Sequence, residues 1–115
     1  MNTVQLLGRL TAEPQVRYSQ GAEPQAIANF TLAADRQFGK ETDFIRCVAF
    51  GKRAEALDNF CKKGTKIAVV GSIQTGSYEK DGVKHYTTDV IVNSFDFCEK
   101  KEETAKESTE ELPFN

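Results

Sequence analysis

Apolar and polar positions along the chain follow two periods in turn, and the switches between them mark the elements. Val4 to Leu10 is a short apolar-rich segment closed by Thr11 to Pro14, which predicts a first strand ending in a turn. After a second turn at Gly21 to Pro24, Ala26, Ala28, Phe30, Leu32 and Ala34 fall on one face with Asn29 and Thr31 opposite, the period of two of a half-buried strand. Phe44 to Phe50 predicts a third strand, with Phe44, Arg46, Val48 and Phe50 pointing one way and Ile45, Cys47 and Ala49 the other. The two faces have equal claims to the interior. From Arg53 to Lys63 the period lengthens: Ala54, Leu57, Phe60 and Cys61 stand at helical spacing, and Gly64 follows two lysines where a helix would stop. Lys66 to Thr75 and Lys84 to Phe97 predict two more strands, with Asp81-Gly82 between them as a hairpin turn.

Three strands, a helix and two strands predict an all-β fold, a five-stranded OB-fold barrel with one helix between strands 3 and 4. A generic α+β meander is the alternative. After Cys98 the chain turns to Lys, Glu, Thr and Ser, too polar to bury enough surface to offset the entropy of ordering. The expected organisation is a domain at 1–98 and a disordered acidic tail at 99–115. The tail ends in Glu110, Glu111, Leu112, Pro113, Phe114 and Asn115, which reads equally as a docking motif for a basic, apolar pocket or as solvated chain.

Charge changes the picture only through its distribution. The chain of 115 residues carries a net charge of −2, which by itself argues against a nucleic-acid partner. Residues 99–115 hold six of the 17 acids and three of the 15 basic residues, leaving a body of 12 basic against 11 acidic residues. A body so near neutrality binds phosphate only if its cations gather on one face. There is no apolar run of the roughly 20 residues a membrane helix needs and no leader pattern at Met1, so the expected location is cytoplasmic. Cys47, Cys61 and Cys98 are widely spaced and odd in number, and read as reduced and mostly packed. His85, the one histidine, reads as a surface residue near a turn.

Catalysis has no visible candidate: no nucleophile elbow, phosphate-cradling glycine loop or metal-ligand cluster occurs, so no enzymatic activity, cofactor or metal is expected. The chain offers instead Phe38, Phe44, Phe50 and Tyr78, interspersed with Arg36, Lys40, Arg46, Lys52 and Lys80. Bases freed from a duplex stack on aromatic faces while cations follow the phosphates. Phe30 and Phe60 read as core, Phe38 and Tyr78 as exposed, and Phe44 and Phe50 fit either face.

Thr3 to Leu10, Pro14 to Tyr18, Phe50-Gly51-Lys52 with Ala54-Glu55, Lys63-Gly64 and Tyr86 to Val90 resemble, in order and spacing, the bacterial single-stranded DNA-binding proteins. The resemblance implies an OB fold assembled as a homotetramer, without enzymatic activity, that wraps single-stranded DNA irrespective of sequence in replication, recombination and repair, in the cytoplasm and at the nucleoid. Carried over residue by residue, base stacking falls on Phe38, Phe44, Phe50 and Tyr78, and phosphate contacts on Arg17, Arg46, Lys52 and Lys63. The tip Glu110, Glu111, Leu112, Pro113 and Phe114 would recruit replication, recombination and repair proteins, although Asn115 moves the terminal carboxylate away from the ring.

Two further departures set expectations. Relatives often have Trp at three of the four aromatic positions, so the rings here imply weaker stacking per base. Gln74, Gly76 and Ser77 stand where relatives often carry cations, which implies a shallower salt dependence, about 0.7 in slope per lost phosphate contact. The short linker is that of a reduced or accessory paralogue, or of a version carried by a mobile element. Two rival functions are an OB-fold replication-restart adaptor acting mainly through protein contacts, and RNA binding.

Overall fold

The computed structural model describes residues 1–98; the expected acidic tail and its tip lie outside them. Alternating residues become paired strands wherever small apolar side chains of one strand meet those of the next. Ala26, Ala28, Phe30 and Leu32 of β3 (Ala26–Asp35) are buried, and so are Cys47 and Ala49 of β4 (Thr42–Phe50), in a register that sets Phe30 against Cys47 and Ala28 against Ala49. Val69 of β5 (Lys66–Lys80) and Val90 and Val92 of β6 (Val83–Phe97) extend the same interior, and Leu10, Leu32, Leu57 and Ile67 are its largest sealed aliphatic side chains. Each of those four contributes about 1.5–3 kcal/mol of transfer free energy.

α1 (Lys52–Phe60) packs against β3, β4 and β2 (Gln15–Tyr18) and turns Ala54 and Leu57 inward. It ends earlier than its spacing predicts. Cys61 is extended and donates its N–H to the Leu57 carbonyl at 2.9 Å, which sends the Cys61 side chain into the core. Phe60 is thereby turned outward to 66% exposure against the edge of Phe97, so its expected place in the core is corrected.

The expected five-stranded barrel is corrected on two counts. Among the described residues six strands, from β1 (Val4–Leu10) on, form one mixed sheet in the order β1-β5-β6-β4-β3-β2, and the helix lies between β4 and β5. The extra strand is β2 (Gln15–Tyr18), which joins the edge of β3 by main-chain pairing while Gln15, Arg17 and Tyr18 stay exposed. β1 (Val4–Leu10) pairs along β5 and, at Arg9 and Leu10, also with β3. Among the described residues all pairings are antiparallel except β4 with β6. These distant pairings rule out a meander.

β5 runs five residues beyond its expected end at Thr75. Beyond the register irregularity at Val70/Gly71 it continues with β6 as a two-stranded arm. Asp81 and Gly82, at φ 55° and 79°, form the two-residue connection between paired Lys80 and Val83, as the Asp-Gly signal predicts.

Candidate nucleic-acid interface

Cross-strand partners share a face, so the register identifies which side chains stand together. β4 has Cys47 1% exposed, and this fixes the ambiguous parity: Phe44, Arg46, Val48 and Phe50 point outward. Arg17, Ile27 and Phe50 form one cross-strand row, Gln15, Asn29 and Val48 the next, and Thr31 pairs with Arg46, Ala33 with Phe44. Val48 continues to Ile91, and Ile91 to Ser72, on β6 and β5. Two residues along β6 at each step come Asp89, Thr87 and His85, opposite Gln74, Gly76 and Tyr78. Phe44, Phe50, Tyr78, Arg17 and Arg46 therefore share one outward sheet face.

The rings on that face are accessible, with Phe44 at 66%, Phe50 at 38% and Tyr78 at 54% exposure. Phe38, at 83%, projects from the loop between β3 and β4. That loop is tied at its base: the Arg36 N–H donates to the Glu41 carbonyl at 3.1 Å, and its guanidinium reaches Glu41 at 2.9 Å and Asp43 at 3.0 Å. Arg36 is thus committed to acids within its own loop.

Lys52 opens α1 two residues after Phe50, beside the 23–25 turn and Glu55. Lys63 is set apart, in the turn where the Gly64 N–H donates to the Leu10 carbonyl at 2.8 Å, and no strand pairing joins it to the face. Arg46 lines a shallow concavity with Gln15, Asn29 and Thr31, and its Nε lies 3.6 Å from Asp89 Oδ1. Beneath the face, burial and then the Asp89 charge push the Cys47 thiol up to about 12, so it stays neutral and unreactive.

Three features went unforeseen. The half-buried strip Ile27, Val48 and Ile91 gives the face an apolar centre. His85, exposed near the turn as expected, also stacks on Tyr78, centroids 5.1 Å apart and planes 19° from parallel. Asp89 puts an acid beside Arg46. Counting parity back from Val90 would have placed Ile91, Asp89 and His85 together.

An open sheet face with accessible rings around an apolar strip and cations between them defines a binding protein for an extended, negatively charged ligand with stackable rings. Residues 1–98 match the profile of the single-strand binding protein family, and the chain belongs to that family. A relative from Clostridium perfringens, a single-stranded DNA-binding protein, is 54% identical over 101 residues, covering 86% of this chain and 67% of the relative. Single-stranded DNA-binding protein 1 of Streptococcus pyogenes is 44% identical over 115 residues, covering 95% and 87%. The single-stranded DNA-binding protein of Enterococcus faecalis is 40% identical over 121 residues, covering 100% and 63%.

Proposed function

We propose that this protein binds single-stranded DNA irrespective of sequence and protects it during replication, recombination and repair. As a member of a binding family, it is not an enzyme. The observation that carries the reading is the shared outward parity of Phe44, Phe50 and Tyr78 with Arg17 and Arg46. Bases stack on Phe38, Phe44, Phe50 and Tyr78, at about 1–3 kcal/mol per base on a scale drawn from proteins of this kind. Phosphates meet Arg17, Arg46 and Lys52, with Lys63 as an outlying contact. A duplex hides its base faces and gains nothing from the rings.

Residues 1–98 act as the binding domain and 99–115 as an acidic tail whose tip, Glu110 to Phe114, recruits replication, recombination and repair proteins. The chain works as a homotetramer in the cytoplasm, at the nucleoid. Among the described residues no helix is long and apolar enough to cross a membrane.

Competition binding with labelled oligo-dT of a few tens of nucleotides, challenged by duplex DNA and single-stranded RNA, tests the central reading. Unlabelled single-stranded DNA should compete far better than either. Equal competition by duplex, or no binding, would hand the lead to the adaptor reading; equal competition by RNA would remove the restriction to DNA. Light scattering tests the assembly, and a stable monomer would end the tetramer proposal.

A further inference from the structure

A carboxylate in the middle of a face meant for phosphates needs an explanation. Three strand acids share the outward parity of Arg17 and Arg46, and of these Asp96, paired with Ala68, is exposed. Asp35, at the end of β3, accepts a hydrogen bond from Thr42 Oγ1 at 3.2 Å. Asp89 is different. It lies one residue before Val90, as Arg46 lies one residue before the paired Cys47, so the two side chains meet across the parallel β4–β6 pair. Its Oδ1 is covered by protein and accepts no hydrogen bond from the described residues, while Arg46 Nε stands 3.6 Å away, beyond hydrogen-bond reach. A covered carboxylate oxygen without a donor favours whatever conformation brings one closer, and Arg46 is the cation positioned to do it.

We propose that Asp89 is a positioning residue that tempers Arg46: it holds the guanidinium against the sheet and cancels part of its charge, so that Arg46 meets a phosphate only in competition with Asp89. The face is then weaker for polyanions than its cations imply, and DNA is released more easily. The inference rests on the single-stranded DNA reading above and deepens it. It adds a cause within the face for a shallow salt dependence, separate from the cations absent at Gln74, Gly76 and Ser77.

The test is equilibrium binding of the full chain to labelled oligo-dT across a salt series. Asp89→Asn should bind more tightly at low salt, and its slope of log affinity against log salt should steepen by up to about 0.7, one phosphate contact's worth on a single strand. With that full change, its advantage over the parent shrinks about 2.6-fold between about 50 and about 200 mM salt. In an Arg46→Ala background, Asp89→Asn should leave the slope unchanged, a dependence that a purely structural role would not produce. Asp89→Ser, neutral and shorter, serves as a second variant, with thermal unfolding to show that each variant is folded.

An unchanged slope in a folded neutral variant overturns the proposal, and so does equal steepening without Arg46. A change seen with oligo-dC but not oligo-dT would make Asp89 a base contact, reading an exocyclic amine, and would also overturn it. Failure of the parent chain to bind oligo-dT is a separate result and defeats the functional reading itself.

Discussion

Phe44 and Phe50 stand on a strand whose other side is sealed into the core, whereas Tyr78 stands on a ribbon with solvent on both sides. Behind Phe44 to Phe50 lie Cys47 and Ala49, at 1% and 0% exposure. Behind Tyr78 are the exposed residues Ser77, Glu79 and Tyr86, and the ribbon from Ile73 to Lys80 is held mainly by its pairing with β6. A two-stranded ribbon is marginal alone, so the arm depends on its root, its turn and cross-strand pairs such as Tyr78 on His85. The body offers rings backed by the core, and the arm offers one backed by solvent. Binding strength should therefore come from the body.

The largest expected effect tests that directly. Phe44→Ala with Phe50→Ala removes two stacking rings and should weaken oligo-dT binding by about 2–6 kcal/mol in total. Phe44 is two-thirds exposed but Phe50 only 38%, so some packing is lost with the second ring, and stability should fall by about 1–2 kcal/mol, less than the expected loss of binding. Isothermal titration with a parallel melt separates the two quantities. A large loss of stability with unchanged affinity would make these rings structural.

The contrast sharpens at two glycines of β5. A Cβ at Gly71, at the root of the arm, would run into the Ile91 carbonyl, backbone against backbone. Gly71→Ala should force β5 and β6 apart and cost about 2–4 kcal/mol in urea unfolding, within the range of severe core overpacking. At Gly76, out on the arm, the nearest neighbour of a Cβ is the Thr87 hydroxyl oxygen at 3.1 Å, a side-chain atom that can turn aside. Gly76→Ala should change stability by less than about 1 kcal/mol. Equal costs at the two sites would mean that the arm is packed as tightly as the body.

Sequence and structure part company along the same line. Where one side of a strand is buried, alternation is legible, as at Ala26 to Leu32. In the outer half of β5 both sides meet solvent and no apolar alternation marks the strand, and in β2 only Val16 of four residues packs against the core, too little for a period to show. Parity on β4 was undecidable because both faces are apolar; size resolves it, since the small Cys47 and Ala49 fit close to β3 and the large rings do not. Phe60 misled because helical spacing assumes that the helix continues, and it stops there. The candidate rings and most of the cations were legible as residue types. Their union on one face required the register between β3, β4 and β6, which is non-local.

On the arm the expected effect is smaller. Tyr78→Ala should weaken oligo-dT binding by about 1–3 kcal/mol, one ring's worth, while changing stability in urea unfolding by less than about 1 kcal/mol, one cross-strand pair's worth. His85→Ala keeps the ring but removes its stacked neighbour, and should cost less than Tyr78→Ala; a larger loss would make His85 itself the main contact. Fluorescence anisotropy on both variants gives the order.

The smallest effect concerns the body's sealed side. Burial pushes the thiols of Cys47 and Cys61 up from 9.0 to about 12 and about 11. Both are protonated in the folded protein at a pH where the unfolded chain has begun to release the proton. A folded pKa raised above the unfolded one gives stability that is complete below about 9 and is lost as pH rises through the folded values. The loss per thiol is a fraction of a kcal/mol at pH 9 and grows to about 1 kcal/mol by pH 10. Lysines and tyrosines titrate in the same window, so the informative quantity is a difference: urea midpoints from pH 7 to 10 for the parent chain and for Cys47→Ala with Cys61→Ala. The variant starts lower because it has lost packing, and its stability should fall less steeply above pH 9. Parallel declines would mean that alkali reaches these thiols without unfolding the body, and the sealed side would then be as open as the arm.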